Sequence, residues 1–240
     1  MSQAIGRSGR PALPVVPALP PLFSAGRRDS ALAAMLVVFT ALAVWAGSRN
    51  VLPGDVRFTH WVQDLNVPLL DTLTNATNVS MGGVPLTVSG IALFFVLLLW
   101  SRVDAAILGI ALAVRLINGG LKRVIESPRP DDHLVAVTTD VHGFGYPSGH
   151  AAGSLLIVGA LAWIMTRHIE NAAARWLVWI VAGSWIVMTG LGRIRVGAHW
   201  PTDVVSAWLW AIPALVLITR LAMRIDASRR RDDQALPGRA

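Results

Sequence analysis

The residue types that could do chemistry gather in two polar islands. One runs from Lys122 to His150 (KRVIESPRPDDHLVAVTTDVHGFGYPSGH), the other from Arg193 to Asp203 (RIRVGAHWPTD), and each leads into a long apolar run. In the first, Lys122 and Arg129 put two permanent cations beside apolar segments, where unpaired charge costs several kcal/mol and calls for an anion. Asp131 and Asp132 could supply it, and that is the plain alternative. The island closes on Pro147-Ser148-Gly149-His150. Ser148 can cap the helix that follows, Gly149 permits close backbone approach, and the free N–H groups with the helix dipole favour an oxyanion. His150 falls in that helix's first turn. The second island offers Arg193, His199 and Asp203. Pro201 is suited to open a helix, and an Asp in its first turn can reach back to the His199 imidazole. A carboxylate on one ring nitrogen fixes the tautomer and frees the other as nucleophile or base. Cations, a helix N-terminus and two histidines, one backed by a carboxylate, suit phosphoryl transfer through a histidine. One imidazole attacks in line, the other protonates the departing oxygen, and the cations spread the equatorial charge.

The elements that must position these residues are membrane spans. The chain has 240 residues, 54% hydrophobic and 15% charged, with mean hydropathy +0.55, which is too apolar for an ordinary soluble domain. Apolar blocks of helix-spanning length run from about Ala31 to Gly47, Val84 to Trp100, Ala105 to Gly120, Ser148 to Thr166, Trp176 to Leu191 and Asp203 to Met223. The expected fold is all-α: a six-span bundle, with short interfacial helices in the mixed stretch from Asn50 to Gly82. Residues 1–29 read as a disordered cytoplasmic tail held near the surface by Arg27 and Arg28, residues 30–224 as the catalytic bundle, and residues 225–240 as a basic cytoplasmic tail. Repeated proline near the start breaks any apolar signal-peptide core.

Six spans put both termini on one side and both islands on the other. The termini's side collects Arg7, Arg10, Arg27, Arg28, Arg102, Arg167, Arg175 and the arginines from Arg220 onward, whereas the islands' side holds Arg49, Arg57, Lys122, Arg123, Arg129, Arg193 and Arg195. The larger set marks the cytoplasm. The islands therefore meet on the extracytoplasmic face of the plasma membrane as one phosphate-handling site. A net charge of +7 spread over loops and tails speaks for topology and against a nucleic-acid partner. With no cysteine in the chain, disulfides and thiolate metal or redox chemistry are excluded.

Together, Lys122-x6-Arg129-Pro130, Pro147-Ser148-Gly149-His150 and Arg193-x5-His199-x3-Asp203 resemble the signature of the type 2 phosphatidic acid phosphatase (PAP2) superfamily, whose soluble relatives include vanadium haloperoxidases. The trio stands in the family's order and spacing within about Asn50 to Met223. The resemblance implies that Lys122, Arg129 and Arg193 hold the phosphate with Ser148 and the Gly149 backbone. It makes His199 the phosphohistidine, Asp203 the residue that orients it and His150 the acid. No metal and no other cofactor is implied. The substrate would be a lipid phosphate or diphosphate of phosphatidic acid or polyprenyl diphosphate type, its tail staying in the bilayer. Two positions depart from the pattern. Gly192 stands where the family usually has Ser, and Ser127 where many members carry an arginine. Arg195 is the candidate accessory for that charge.

Arg115 lies inside the third span seven residues before Lys122, with Asn118 between them on nearly the same face. An intramembrane arginine is a functional candidate; snorkelling or a structural pair is the equal alternative. His133 and His142 read as solvated loop residues, and Trp100, Trp163, Trp176 and Trp210 as interface anchors. Asn75-Ala76-Thr77 and Asn78-Val79-Ser80 match the glycosylation pattern, which is common by chance. Two other activities use the same residues: phosphotransfer to a lipid or sugar hydroxyl, and a phosphate-binding transporter without chemistry, for which Arg115 is the main support. A haloperoxidase is not expected of so apolar a chain.

Overall fold

The computed structural model describes residues 25–48 and 51–235, with side chains through Ser228. The stretch before Ala25, Arg49, Asn50 and the last five residues lie outside it, and with them most of the expected N-terminal tail. The described residues form nine helices and no strand: α1 (Ala25–Gly47), α2 (Pro53–Gln63), α3 (Pro68–Ser80), α4 (Gly83–Trp100), α5 (Arg102–Arg115), α6 (Ile117–Ile125), α7 (Gly149–Arg167), α8 (Ala172–Arg195) and α9 (Pro201–Ala235). Six helical stretches are long and apolar enough to cross a membrane, α5 and α6 together making one of 24 residues.

α7 is the axis of the bundle. Two-thirds of its apolar window is buried, because small residues let three neighbours approach it closely. A Cβ on Gly159 would lie 2.6 Å from Leu215 of α9, and one on Gly153 would lie 2.9 Å from Leu86 of α4. Ala151, Ala152, Leu155 and Leu156 pack with Val204, Ala207 and Ala211 of α9, while Ile157, Ala160 and Ile164 meet Ile107, Leu108 and Ala111 of α5. The outer helices turn the opposite way: Val37, Val44, Val88, Leu99 and Val181 are exposed large apolar side chains, the surface that hydrocarbon covers.

Several boundaries differ from the sequence expectation. α1 begins at Ala25, so Arg27, Arg28 and Asp29 sit in its opening turns and not in a tail; Arg220 Nη1 donates to Asp29 at 2.6 Å. α9 runs past residue 224 to Ala235. The third span does not end at Gly120. It pauses at Leu116, where a tight turn joins α5 to α6, and continues to Ile125, so Lys122 belongs to the span itself. Trp210 is 7% exposed within the core and is no interface anchor, whereas Trp100 and Trp176 are exposed.

The two ends of the bundle are chemically distinct. At one end Asp104, buried, takes Arg167 at 2.9 Å and His168 at 2.8 Å, tying the start of α5 to the α7–α8 turn. At the other end, α2 and α3 cover the terminus of α8, and the loop from Glu126 to Ser148 folds over the starts of α7 and α9. Both polar islands lie there.

Candidate functional site

Each site residue is placed by a local device. α6 is closed by Glu126, the residue after its last turn, which takes a left-handed backbone (φ 51°) and donates its N–H to the Lys122 carbonyl. Lys122, one turn back, donates its Nζ to Phe144 O at 2.7 Å and Gly145 O at 2.9 Å. Asn118, one turn further, donates to Pro147 O at 3.2 Å. The span thus holds the far end of its own outgoing loop. Ser148 is the α7 N-cap and accepts from the Ala151 N–H; its own N–H donates to Asp203 O at 3.0 Å. That bond fixes the start of α7 against the start of α9. Gly149 lies close under the third span: a Cβ there would rest in contact with Asn118 Nδ2 at 3.4 Å.

His199 sits in the turn between α8 and α9. The turn closes through N–H groups of Ala198 and His199 on Arg193 O, and it needs Gly197 in the left-handed region (φ 68°). There a Cβ would collide with Ala136 O. The imidazole Nδ1 faces Asp203 Oδ2 at 3.1 Å, and the same oxygen accepts the Trp200 N–H at 3.1 Å. Since Asp203 is the acceptor, Nδ1 carries the proton and Nε2 presents its lone pair. Arg129 Nη1 lies 3.3 Å from that Nε2. The rest of the guanidinium spans the two islands: Nη1 donates to Ala198 O at 2.7 Å, Nε to Gly143 O at 3.0 Å and Nη2 to His142 O at 3.3 Å.

Burial holds the His199 imidazole well below the usual histidine range, and the positive charges of Lys122, Arg129 and Arg193 and the nearby His150 push it the same way. All four groups therefore act at one ring. Burial also lowers Arg129, offset in part by the Asp203 carboxylate, and a guanidinium stays charged regardless. Arg193 is 6% exposed. Its Nε is buried with no acceptor, and its Nη1 contact is to a neutral amide, Asn78 Oδ1 at 3.4 Å. Neither Asp131 nor Asp132 takes up the cations: Asp131 accepts its neighbour's His133 N–H at 2.9 Å, and Asp132 faces His133 in the open. Charge-assisted hydrogen bonds to an oxyanion contribute about 1.5–3 kcal/mol each. Three cations act at an imidazole whose Nε2 faces one of them at 3.3 Å, an arrangement suited to an oxyanion.

The structure thus brings Lys122, Arg129, Ser148, Gly149, His150, Arg193, His199 and Asp203 to one end of the bundle. Of the two accessory candidates, Arg195 goes elsewhere, whereas the charge of Arg115 acts at His150. Arg195 is turned to the outer side of α8, where Nη2 pairs with Asp71 at 2.6 Å and Nη1 donates to Val62 O. It clamps α2 and α3 onto α8 and does not replace the charge absent at Ser127. Arg115 lies beside α7 with Nε 3.0 Å from the Cβ position of Gly153, but donates to Thr87 Oγ1 at 2.7 Å and Gly83 O at 3.3 Å. Its hydrogen bonds run across to α4.

Two supporting residues were not singled out from the sequence. Asp55 on α2 is 3% exposed and accepts both the Thr202 N–H at 3.0 Å and the Thr202 hydroxyl at 2.6 Å; burial raises its pKa, against those bonds. It anchors the first turn of α9 at Thr202, the residue before Asp203. The only sequence signal was an Asp in an apolar stretch. Asn78 had a signal too, but one that pointed to glycosylation; on α3 it is half-buried and bonded to Arg193 and Gly192.

Comparison with known proteins follows the same residues. The family model of the PAP2 superfamily matches residues 103–226. Phosphatidylglycerophosphatase B of Bacillus subtilis (strain 168) is 28% identical over 118 residues, which are 49% of this chain and 57% of that protein. The undecaprenyl-diphosphatase of Sulfolobus acidocaldarius is 35% identical over 66 residues, 28% of each. The chain thus spans little more than half, or less, of the length of these curated relatives. Among solved structures, a transmembrane PAP2-type phosphatidylglycerolphosphate phosphatase from Bacillus subtilis superposes with a TM-score of 0.68 at 23% identity, covering 81% of this chain and 96% of that one.

Proposed function

As the chain belongs to the PAP2 superfamily and is a multi-pass membrane protein, we propose that it hydrolyses a lipid phosphate or diphosphate through a phosphohistidine, without a metal. One observation carries the reading: His199 has Asp203 on Nδ1 at 3.1 Å, which turns the Nε2 lone pair toward the Arg129 guanidinium, whose Nη1 lies 3.3 Å away. A phosphoryl group held by Arg129, Lys122 and Arg193 takes the Arg129 N–H onto its own oxygen and so comes to stand in front of that lone pair. Nε2 attacks phosphorus, the bond to the leaving oxygen breaks, and that oxygen keeps the electron pair and takes a proton from His150. Water then gives a proton to His150, attacks phosphorus and cleaves the P–N bond, which returns both imidazoles to their starting state. The resting His199 is neutral, as nucleophilic attack requires.

The relatives act, by name, on phosphatidylglycerophosphate and undecaprenyl diphosphate, and the substrate proposed here is of that kind, with phosphatidic acid as the simplest member. Protein purified in detergent is expected to release inorganic phosphate from at least one of these three lipids with EDTA present. Absence of release from all three, or release that returns only with added divalent metal, overturns the reading.

The site is proposed to face the extracytoplasmic side of the plasma membrane, with both termini in the cytoplasm. The arginine distribution favours that side. The chain has no cysteine, so single introduced thiols report it directly. Asp140→Cys, in the loop over the site, should react with a membrane-impermeant maleimide in intact cells. Glu170→Cys, in the turn between α7 and α8, should react only after lysis. The reverse pattern inverts the topology.

A further inference from the structure

The site holds an arginine whose partner is neutral where a carboxylate would be expected. Arg193 is buried, its Nε has no acceptor, and no Asp or Glu pairs with it among the described residues. Leaving a guanidinium so enclosed costs several kcal/mol unless an anion arrives. The side chain that touches it is Asn78, which comes from α3, 115 positions away in sequence. The same amide uses its other end: Nδ2 donates to Gly192 O at 3.4 Å. Gly192 is what admits this helix. A Cβ there would lie 3.0 Å from Thr74 O and 3.1 Å from Asn78 Oδ1, so a serine at that position, as the motif otherwise has, would push α3 away. The missing hydroxyl and the inserted amide occupy one space.

We propose that Asn78 is a positioning residue for the phosphoryl group: it orients the Arg193 guanidinium through Oδ1 while leaving its full positive charge for the substrate. This rests on the phosphatase reading above. The amide does what a carboxylate could not. An Asp in its place would pair with Arg193 more strongly, neutralise it and place negative charge beside the incoming phosphate. Asn supplies the direction of a hydrogen bond without that competing charge. Arg193 is held by its neighbour and satisfied only by the ligand.

The test compares Asn78→Ala and Asn78→Asp with wild type in detergent, reading vanadate inhibition of lipid-phosphate hydrolysis, kcat and KM, and the melting temperature. Vanadate takes the five-coordinate geometry of phosphoryl transfer, so its Ki follows grip on the reacting group. Asn78→Ala is expected to raise Ki about 10-fold through loss of one orienting bond. Asn78→Asp is expected to raise it about 100-fold or more, with kcat/KM falling in parallel, because a charge is cancelled as well. A role in packing α3 alone predicts the opposite ranking: Asp, nearer in shape to Asn, would do less harm than Ala, and each loss would track the melting temperature. Equal Ki values for the two variants, or a smaller effect from Asp, overturn the proposal. Should Asn78→Ala not fold, the near-isosteric Asp variant decides alone, and a Ki within about threefold of wild type sinks the inference. Wild-type protein that hydrolyses no lipid phosphate brings down the phosphatase reading instead, and this inference with it.

Discussion

His199→Ala is expected to lower kcat/KM by about 10⁴-fold or more, the scale seen when a member of a nucleophile–base unit is removed, while KM moves only severalfold. The asymmetry follows from the geometry. The cations proposed to hold the phosphate are placed mainly by groups other than the imidazole: Lys122 is held by Phe144 O and Gly145 O, and Arg129 by three carbonyls. Binding therefore survives when the ring is gone. Rapid acid-free quenching with labelled substrate should trap an acid-labile, base-stable phosphoenzyme in the wild type and none in His199→Ala. The pH profile gives a second reading. A solvated imidazole loses half its nucleophile at its ordinary pKa of 6.5, whereas burial and four neighbouring positive or protonatable groups hold His199 well below that value. On the proposed mechanism the neutral form attacks, so the lowered pKa keeps the nucleophile available as pH falls, and its acid limb in kcat/KM is expected below pH 6.5. A limb centred at or above 6.5 that disappears in no variant but His199→Ala, or a trapped adduct in that variant, refutes the assignment.

How much of this was legible in the chain depends on the range of the interaction. The start of α7 at Ser148-Gly149 and the His199–Asp203 pair were readable because capping and i, i+4 contacts are local, fixed by a proline, a serine or a glycine within a turn. The six spans were readable because hydrocarbon thickness sets their length. Their ends were not. Lys122 looked like the foot of a span that stops at Gly120, but the helix resumes after Leu116 because the loop from Phe144 to Pro147 takes up Lys122 and Asn118 and makes the extra turn stable. Partners set by tertiary packing were invisible. Arg195 looked like a spare phosphate ligand until Asp71, on a helix more than a hundred positions away, took it. Asn78 was hidden behind a glycosylation pattern, and its meaning appears only when Gly192 lets α3 reach Arg193. The departure at Gly192 was visible; what fills it was not.

Arg129→Lys is the substitution with the second largest expected effect, and it separates charge from shape. If Arg129 acts only as a positive charge near the phosphate, lysine should serve nearly as well. The structure gives it a different task. Nη1 reaches Ala198 O at 2.7 Å in the second island, Nε and Nη2 reach Gly143 O and His142 O in the first, and Nη1 also stands 3.3 Å from His199 Nε2. One rigid plane thus sets the distance between the loop that follows α6 and the turn that carries His199. A lysine has a single nitrogen on a flexible stem and cannot hold both sides at once. Misplacement of the nucleophile by about 1 Å can cost about 10²-fold, and loss of a preorganised donor to the transition state about 10²–10³-fold. Arg129→Lys is therefore expected to lose about 10²–10³-fold in kcat/KM, with kcat carrying most of the loss, and vanadate inhibition should weaken with it. Steady-state kinetics in detergent on a lipid phosphate decide the matter. Turnover within about fivefold of wild type would mean that the field of the cation suffices and that the bridge between the islands has no part in catalysis.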